Sequence, residues 1–181
     1  MKKFFVLLVA SAGLMLTSCV GDTHSDYTPE IMFSDMYLNP TFHGDTLVSA
    51  EDTMAVKYDA DLNAYVMTDT LSVTPRDSVV FAVRFWSMGN DLIATRINFD
   101  TTALNLQITI NDEIRQVLAE KSNLRTAQLY YNPGYNMVSF AAGYAPLKEG
   151  LHKLEFVVES DSKYSPVSYL FLQPVVTSRA E

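Results

Sequence analysis

Asp59-x-Asp61-x-Asn63 sets three oxygen-bearing side chains on alternate positions, the way the first half of a calcium loop converges its ligands on a hard cation. The second half does not follow. Ala64 stands at the sixth position, where the loop needs glycine, and Thr70 stands at the twelfth, where it needs a bidentate glutamate. The stretch therefore reads as a turn between two strands, since Asp and Asn hydrogen-bond their own backbone and favour turns. His24, His43 and His152 are the only histidines, and none has a Cys, His or acidic partner at a ligand spacing, so no metal is expected. His152 lies in an alternating stretch and reads as a partly exposed sheet residue. There is no Gly-x-Ser-x-Gly elbow and no glycine-rich phosphate loop, so no catalytic residue and no cofactor is assigned. A triad assembled from distant residues would show only in three dimensions.

The tyrosines are the more suggestive group. Tyr130, Tyr131, Tyr135 and Tyr144, together with Phe140, surround Asn132-Pro133-Gly134, which forces a turn. Rings at a loop tip offer rigid area with a polar end to a sugar or a protein surface, and these four tyrosines are the expected ligand contacts. Packing within the sheets is the competing use, because Tyr is also a favoured strand residue.

Cys19 is the sole cysteine. It closes Leu16-Thr17-Ser18-Cys19 behind a leader in which Lys2 and Lys3 supply charge and Phe4 to Leu16 form an apolar run. That run falls short of the roughly 20 apolar residues a bilayer-spanning helix needs, so it reads as an export signal. The tetrapeptide resembles the lipobox of bacterial lipoproteins, and the resemblance implies cleavage after Ser18 with a diacylglycerol and an N-acyl chain on Cys19. Residues 1–18 are then a signal peptide, 19–30 a flexible tether poor in apolar residues, 31–176 a single folded domain and 177–181 a short tail. Val20 occupies the position where inner-membrane lipoproteins of enteric bacteria carry Asp, which points to the outer membrane. Its periplasmic and surface faces both stay open.

The formal net charge is −8, and it becomes more negative when Lys2 and Lys3 leave with the leader. The remaining basic residues are scattered singly, and phosphate binding needs clusters that displace counterions, so nucleic acid is excluded as a partner. An anionic lipid surface would repel the same chain, so contact with the membrane must rest on the acyl chains. With Cys19 acylated no disulfide can form, and packing alone must stabilise the domain.

Ile31 to Leu38 reads as a first strand ended by Asn39-Pro40, with residues 39–53 a polar loop. Met54 to Tyr58 and Tyr65 to Met67 read as a hairpin, whose second arm Leu71 to Val73 extends or follows before a turn at Thr74 to Asp77. Val79 to Trp86 is mostly apolar on both faces and is expected as a central strand, whereas Leu104 to Ile110 alternates cleanly and should have one wet face. Leu92 to Phe99 lies between them. Ile114, Val117, Leu118 and Lys121 fall at helical spacing behind a cap at Asn111 or Asp112, so one short amphipathic helix is expected over 113–121. Strands resume at Ala127 to Tyr131, Met137 to Ala141, Leu151 to Glu159 and Val167 to Leu172. Nine or ten short strands and one helix predict an all-β sandwich, with Phe81, Val83, Phe85, Leu106, Ile108, Leu154, Phe156 and Phe171 in its core.

Leu147 to Asp161, with the strand that follows, resembles the last hairpin of bacterial immunoglobulin-like domains, where a glycine precedes an alternating strand that ends in Asp. The resemblance implies an immunoglobulin-like β-sandwich with one short inserted helix and places Trp86 at an inter-sheet core position. The paired cysteines of antibody domains are absent. The whole chain resembles small lipoproteins of Bacteroidetes. The expected function is that of a membrane-tethered, non-catalytic envelope lipoprotein that binds a glycan or an envelope protein. A glycan-acting hydrolase using paired carboxylates and a structural subunit of a pilus or envelope assembly are the alternatives.

Overall fold

The computed structural model describes residues 27–67 and 73–177. Residues 1–18, Cys19, His24 and Thr70 lie outside the described residues, as do Leu71 and Ser72. In chain order the strands are β1 (Glu30–Phe33), β2 (Met36–Leu38), β3 (Thr41–His43), β4 (Thr46–Ser49), β5 (Asp52–Met54), β6 (Val56–Asp59), β7 (Ala64–Met67), β8 (Val79–Trp86), β9 (Leu92–Phe99) and β10 (Leu104–Thr109). After a helix, α1 (Asp112–Val117), come β11 (Gln128–Tyr130), β12 (Met137–Pro146), β13 (Gly150–Ser160) and β14 (Val167–Val175).

Two sheets pack face to face. Sheet one runs β10-β12-β8-β2-β5, with β1 also paired to β8, and sheet two runs β11-β9-β13-β14-β7-β6. From β8 to β13 the chain changes sheet at every step, while β6 to β7 and β13 to β14 are hairpins within sheet two. Such crossing connections define an all-β, immunoglobulin-like sandwich.

Period-two alternation drives the layering. In β10, Leu104, Leu106 and Ile108 are buried while Asn105, Gln107 and Thr109 face solvent. Every one of the eight residues expected in the core is buried. Phe156 of sheet two meets Phe33 edge-on at 4.8 Å and Phe81 of sheet one at 6.0 Å, so the two layers interlock through aromatic rings. β8 is central in its sheet, with β12 on one side and β1 and β2 on the other, but only one of its faces is covered. Val79, Phe81, Val83 and Phe85 point inward; Ala82 and Arg84 are exposed and Trp86 is half-buried on the outer face. Trp86 is therefore not an inter-sheet core residue, because it shares the parity of Arg84 and not that of Phe85.

Three further expectations are corrected. The stretch from Ile31 to Leu38 is broken at Ser34-Asp35: Ser34 donates its N–H to the Ala82 carbonyl at 2.9 Å, and its Oγ accepts the Ala82 N–H at 2.8 Å. A side chain thus completes the ladder where the backbone steps aside. Residues 39–53 are not a structureless loop, since they hold the β3–β4 hairpin around Gly44 and then β5, which pairs with β2. That hairpin borders a hollow of about 450 Å³ over the outer face of sheet one, lined by Phe42, Val80, Gly143 and their neighbours. The helix is capped as expected, with the Asn111 side chain accepting the Ile114 N–H at 2.8 Å, but it stops at Val117. Leu118 turns extended and bridges Tyr131, so pairing with the end of β11 outcompetes another helical turn.

Candidate functional site

The structure does not gather the four tyrosines into one exposed patch. Tyr144 is 2% exposed, points between the sheets, and its hydroxyl hydrogen-bonds the Gln173 side chain. Tyr131 is 7% exposed and its hydroxyl lies 2.6 Å from that of Thr95. Burial pushes both phenols well above their ordinary titration range, and the Thr95 contact opposes that shift at Tyr131 only in part. These two rings are core, contrary to the expectation of ligand contact; each sits on the inward parity of its strand and has found a buried partner for its polar tip. Tyr130 points the other way and is half-buried, with the Lys121 ammonium 4.1 Å from its ring centre. Tyr135, in the turn between β11 and β12, is exposed.

That turn belongs to one end of the sandwich, tied together by Asp91. The Asp91 N–H donates to Asp161 Oδ1 at 2.9 Å, the Asp161 N–H donates back to the Asp91 carbonyl at 3.2 Å, and Asp91 Oδ2 accepts the Gly134 N–H at 3.1 Å. One residue thus braces the β8–β9, β11–β12 and β13–β14 connections. The polypeptide also comes into the domain here: Ser162 Oγ donates to the Tyr27 carbonyl at 2.9 Å. Near Gly134 the backbone needs the positive φ of 97° that glycine supplies without strain.

A concave site lies at the other end. A cleft of about 560 Å³ is lined by Asn98, Phe99 and Asp100 from the end of β9, by Lys148, Glu149 and Leu151 from the β12–β13 connection, and by Glu155 and Leu170 farther along sheet two. β9 carries the chain from Asp91 to this cleft, a rise of roughly 25 Å at the usual strand spacing. Asp100 accepts from the Thr102 N–H at 2.8 Å and hydroxyl at 2.7 Å, and those hydrogen bonds, with the Lys148 ammonium 3.8 Å away, hold its carboxyl below the usual carboxylate range. Asn98 donates to Glu155 at 2.9 Å. His152 is buried and not partly exposed as expected, with Nε2 at 2.7 Å from the Lys148 carbonyl, so it fixes the loop that carries Lys148. The cleft therefore offers a side-chain amide, carboxylates and an amine beside the apolar flanks of Phe99, Leu151 and Leu170.

No local motif signals this cleft. Asp100 and Lys148 sit in different connections, and only the crossing topology brings them together. The calcium-like spacing, by contrast, is a turn: Asp59 Oδ1 accepts the N–H groups of Asp61 at 2.9 Å and Leu62 at 3.1 Å, and Asn63 adopts φ 48°. Among the described residues no group of His, Cys, Asp and Glu side chains is arranged to hold a metal ion.

No family model and no curated protein matches this chain. Solved structures align over part of it: a family 123 glycoside hydrolase from Clostridium perfringens (7% identity, TM-score 0.36, 59% of this chain and 22% of that one) and the cupredoxin domain of amoB from Nitrosocaldus yellowstonii (12% identity, TM-score 0.30, 57% and 61%). A third is the ASH/PapD-like domain of human CEP192, at 7% identity and TM-score 0.34, covering 77% of this chain and 100% of that domain. The chain spans about a fifth of the hydrolase and three fifths of the cupredoxin domain. These likenesses carry no argument about chemistry.

Proposed function

We propose that the protein is a membrane-tethered, non-catalytic envelope lipoprotein, anchored at the outer membrane through acyl chains on Cys19, whose distal cleft binds a glycan. The observation that carries this reading is the opposition of the two ends: the polypeptide comes in beside Asp91 and Ser162, and the cleft of Asn98, Asp100 and Lys148 opens at the far end. A tether at one end would hold the cleft away from the lipid. Sugars present hydroxyls that both donate and accept, which suits a lining of amide, carboxylate and amine, and their C–H faces suit Phe99 and Leu151. An envelope protein with a polar loop is the competing partner. The test has two arms. Cys19→Ala should move the protein from the membrane to the soluble fraction, and a variant still pelleting with membranes would overturn the anchor. On a glycan array, Asn98→Ala and Lys148→Ala should each weaken binding about tenfold, the effect of losing one hydrogen bond of about 1.4 kcal/mol. Unchanged binding by both would remove the cleft as the site.

One observation favours a second reading, a glycan-acting hydrolase: Asp100, Glu149 and Glu155 line the same cleft. Asp100, held ionised, would serve as nucleophile or base, and a glutamate would be the acid. Turnover of chromogenic glycosides that is abolished by Asp100→Asn would establish it. A pilus-type subunit completed by a donated strand has no comparable support, since β14 is flanked by β13 and β7 of its own chain.

A further inference from the structure

Four large side chains with apolar surface stand out from the end where the polypeptide comes in: Tyr27 at 68% exposure, Tyr135 at 43%, Met137 at 50% and Tyr164 at 50%. They come from separate parts of the chain and share one end because Tyr27 is bonded by Ser162, Tyr164 donates its N–H to that same Ser162 hydroxyl at 3.2 Å, and the Tyr135 carbonyl accepts the Leu92 N–H at 2.7 Å. Met137 pairs with Trp86, which pairs on its other side with Glu30. A soluble surface does not normally concentrate such groups unless it covers something.

We propose that this end of the sandwich rests on the lipid bilayer, with Tyr27, Tyr135, Met137 and Tyr164 seated at the headgroup boundary. The inference rests on the lipid anchor at Cys19 and adds where the folded body sits. The length of the chain argues for it. The segment from Cys19 to Tyr27 spans at most about 28 Å even when fully extended, so the acyl chains confine this end, and no other, to the neighbourhood of the membrane. The chemistry agrees. Tyrosine places an apolar ring in the acyl boundary and its hydroxyl among headgroups, which is why it concentrates at membrane interfaces. The connections that carry these rings are braced by the Asp91 hydrogen bonds, so little ordering entropy is lost when they touch the surface.

Trp86 is the protein's single tryptophan and adjoins this end, so it reports the distance to the lipid. Because Cys19 is the sole cysteine, a maleimide-bearing phospholipid couples the mature chain, residues 19–181, to vesicles at that position alone. The vesicles are made of phosphatidylcholine and phosphatidylethanolamine, a fraction of it with dansyl headgroups, and the readout is energy transfer from Trp86 to dansyl. The expected result is strong transfer that falls at least about twofold in the Tyr27→Ser/Tyr135→Ser/Tyr164→Ser variant, with the thermal midpoint unchanged. Tyr135→Asp alone, which introduces a charge at the boundary, should act in the same direction and serves if the triple variant melts early. Transfer unaffected in both would overturn the docking. Chemical coupling keeps this separate from the anchor itself: loss of native acylation, read by mass spectrometry of the membrane-extracted protein, overturns the anchor and the inference together, whereas acylated protein with variant-insensitive transfer overturns the docking only.

Discussion

The hydroxyl of Tyr131 and the hydroxyl of Thr95 meet at 2.6 Å with both side chains buried, one arriving from the end of β11 and the other from the inward face of β9. Each satisfies a polar group that would otherwise stand alone in an apolar layer. Tyr131→Phe strands the Thr95 hydroxyl and should cost about 1–3 kcal/mol, whereas Tyr131→Ala also opens a cavity and should cost about 3–5 kcal/mol. Urea unfolding of the two variants measures both. A cost near zero for the alanine variant would place the ring outside the core.

The same burial predicts an alkaline limit to stability. Tyr131 and Tyr144 titrate above their ordinary range in the folded state because burial disfavours the phenolate. The unfolded chain releases these protons near pH 10 while the folded chain keeps them, so the stability is fully present below about pH 10 and declines as pH rises beyond it. Each tyrosine contributes a slope of about 1.4 kcal/mol per pH unit in that window. Tyr131→Phe should therefore lose less stability between pH 10 and 11 than the parent protein, compared by urea midpoints at matched pH.

Phe156 lies at the centre of the aromatic contacts between the layers, edge-on to Phe33 and close to Phe81. Phe156→Ala should cost about 3–5 kcal/mol, because a fully buried ring is lost and the surrounding rings cannot collapse into its volume. A change well under 1 kcal/mol in denaturant unfolding would mean that β13 faces the other way.

Asp77 is buried in the turn before β8, where its carboxylate accepts from Asn39 Nδ2 at 2.7 Å, from the Thr74 N–H at 2.7 Å and from the Thr74 hydroxyl at 2.9 Å. Asn39 in turn accepts the Ser78 N–H at 2.7 Å, so one carboxylate couples the end of β2 to the start of β8. Asp77→Ala leaves these donors unmatched and should cost about 2–4 kcal/mol by thermal or chemical unfolding.

Asp91→Ala tests the brace between the three connections at its end of the sandwich. Its bonds are exposed, so global stability should fall by only about 1 kcal/mol, but the Gly134 amide, which loses its carboxylate acceptor, should exchange with solvent markedly faster, while the Asp161 amide keeps the main-chain carbonyl of position 91. Unchanged exchange at Gly134 would show that the Asp91 side chain does not hold the β11–β12 connection.

Much of the sandwich was legible in the sequence because period-two alternation is a local signal. Leu104-x-Leu106-x-Ile108 and Val79-x-Phe81-x-Val83-x-Phe85 carry their own facing, and the Asn111 cap marks its helix without tertiary information. The fate of the tyrosines was not local. Tyr130 and Tyr131 are adjacent and of one type, yet one faces solvent and the other the core, and the choice depends on a β9 partner 36 positions earlier than Tyr131. Trp86 misled for a related reason, since the immunoglobulin-like resemblance suggested an inter-sheet position while its parity with Arg84 put it outside. The cleft was illegible altogether: Asp100 and Lys148 become neighbours only through the strand crossings that separate them in sequence.

β7 runs parallel to β14, with Ala64, Tyr65 and Val66 paired to Leu170, Phe171 and Leu172. The chain is made from its amino end, so β7 must wait for a partner about a hundred residues later before it can join a sheet, and contacts of that range make folding slow. Shortening the protein from Val167 onward would accordingly do more than trim an edge: β13 would keep only β9 as a neighbour, and β6 and β7 would have no sheet to join, while β1, β2 and β5 would still assemble on β8.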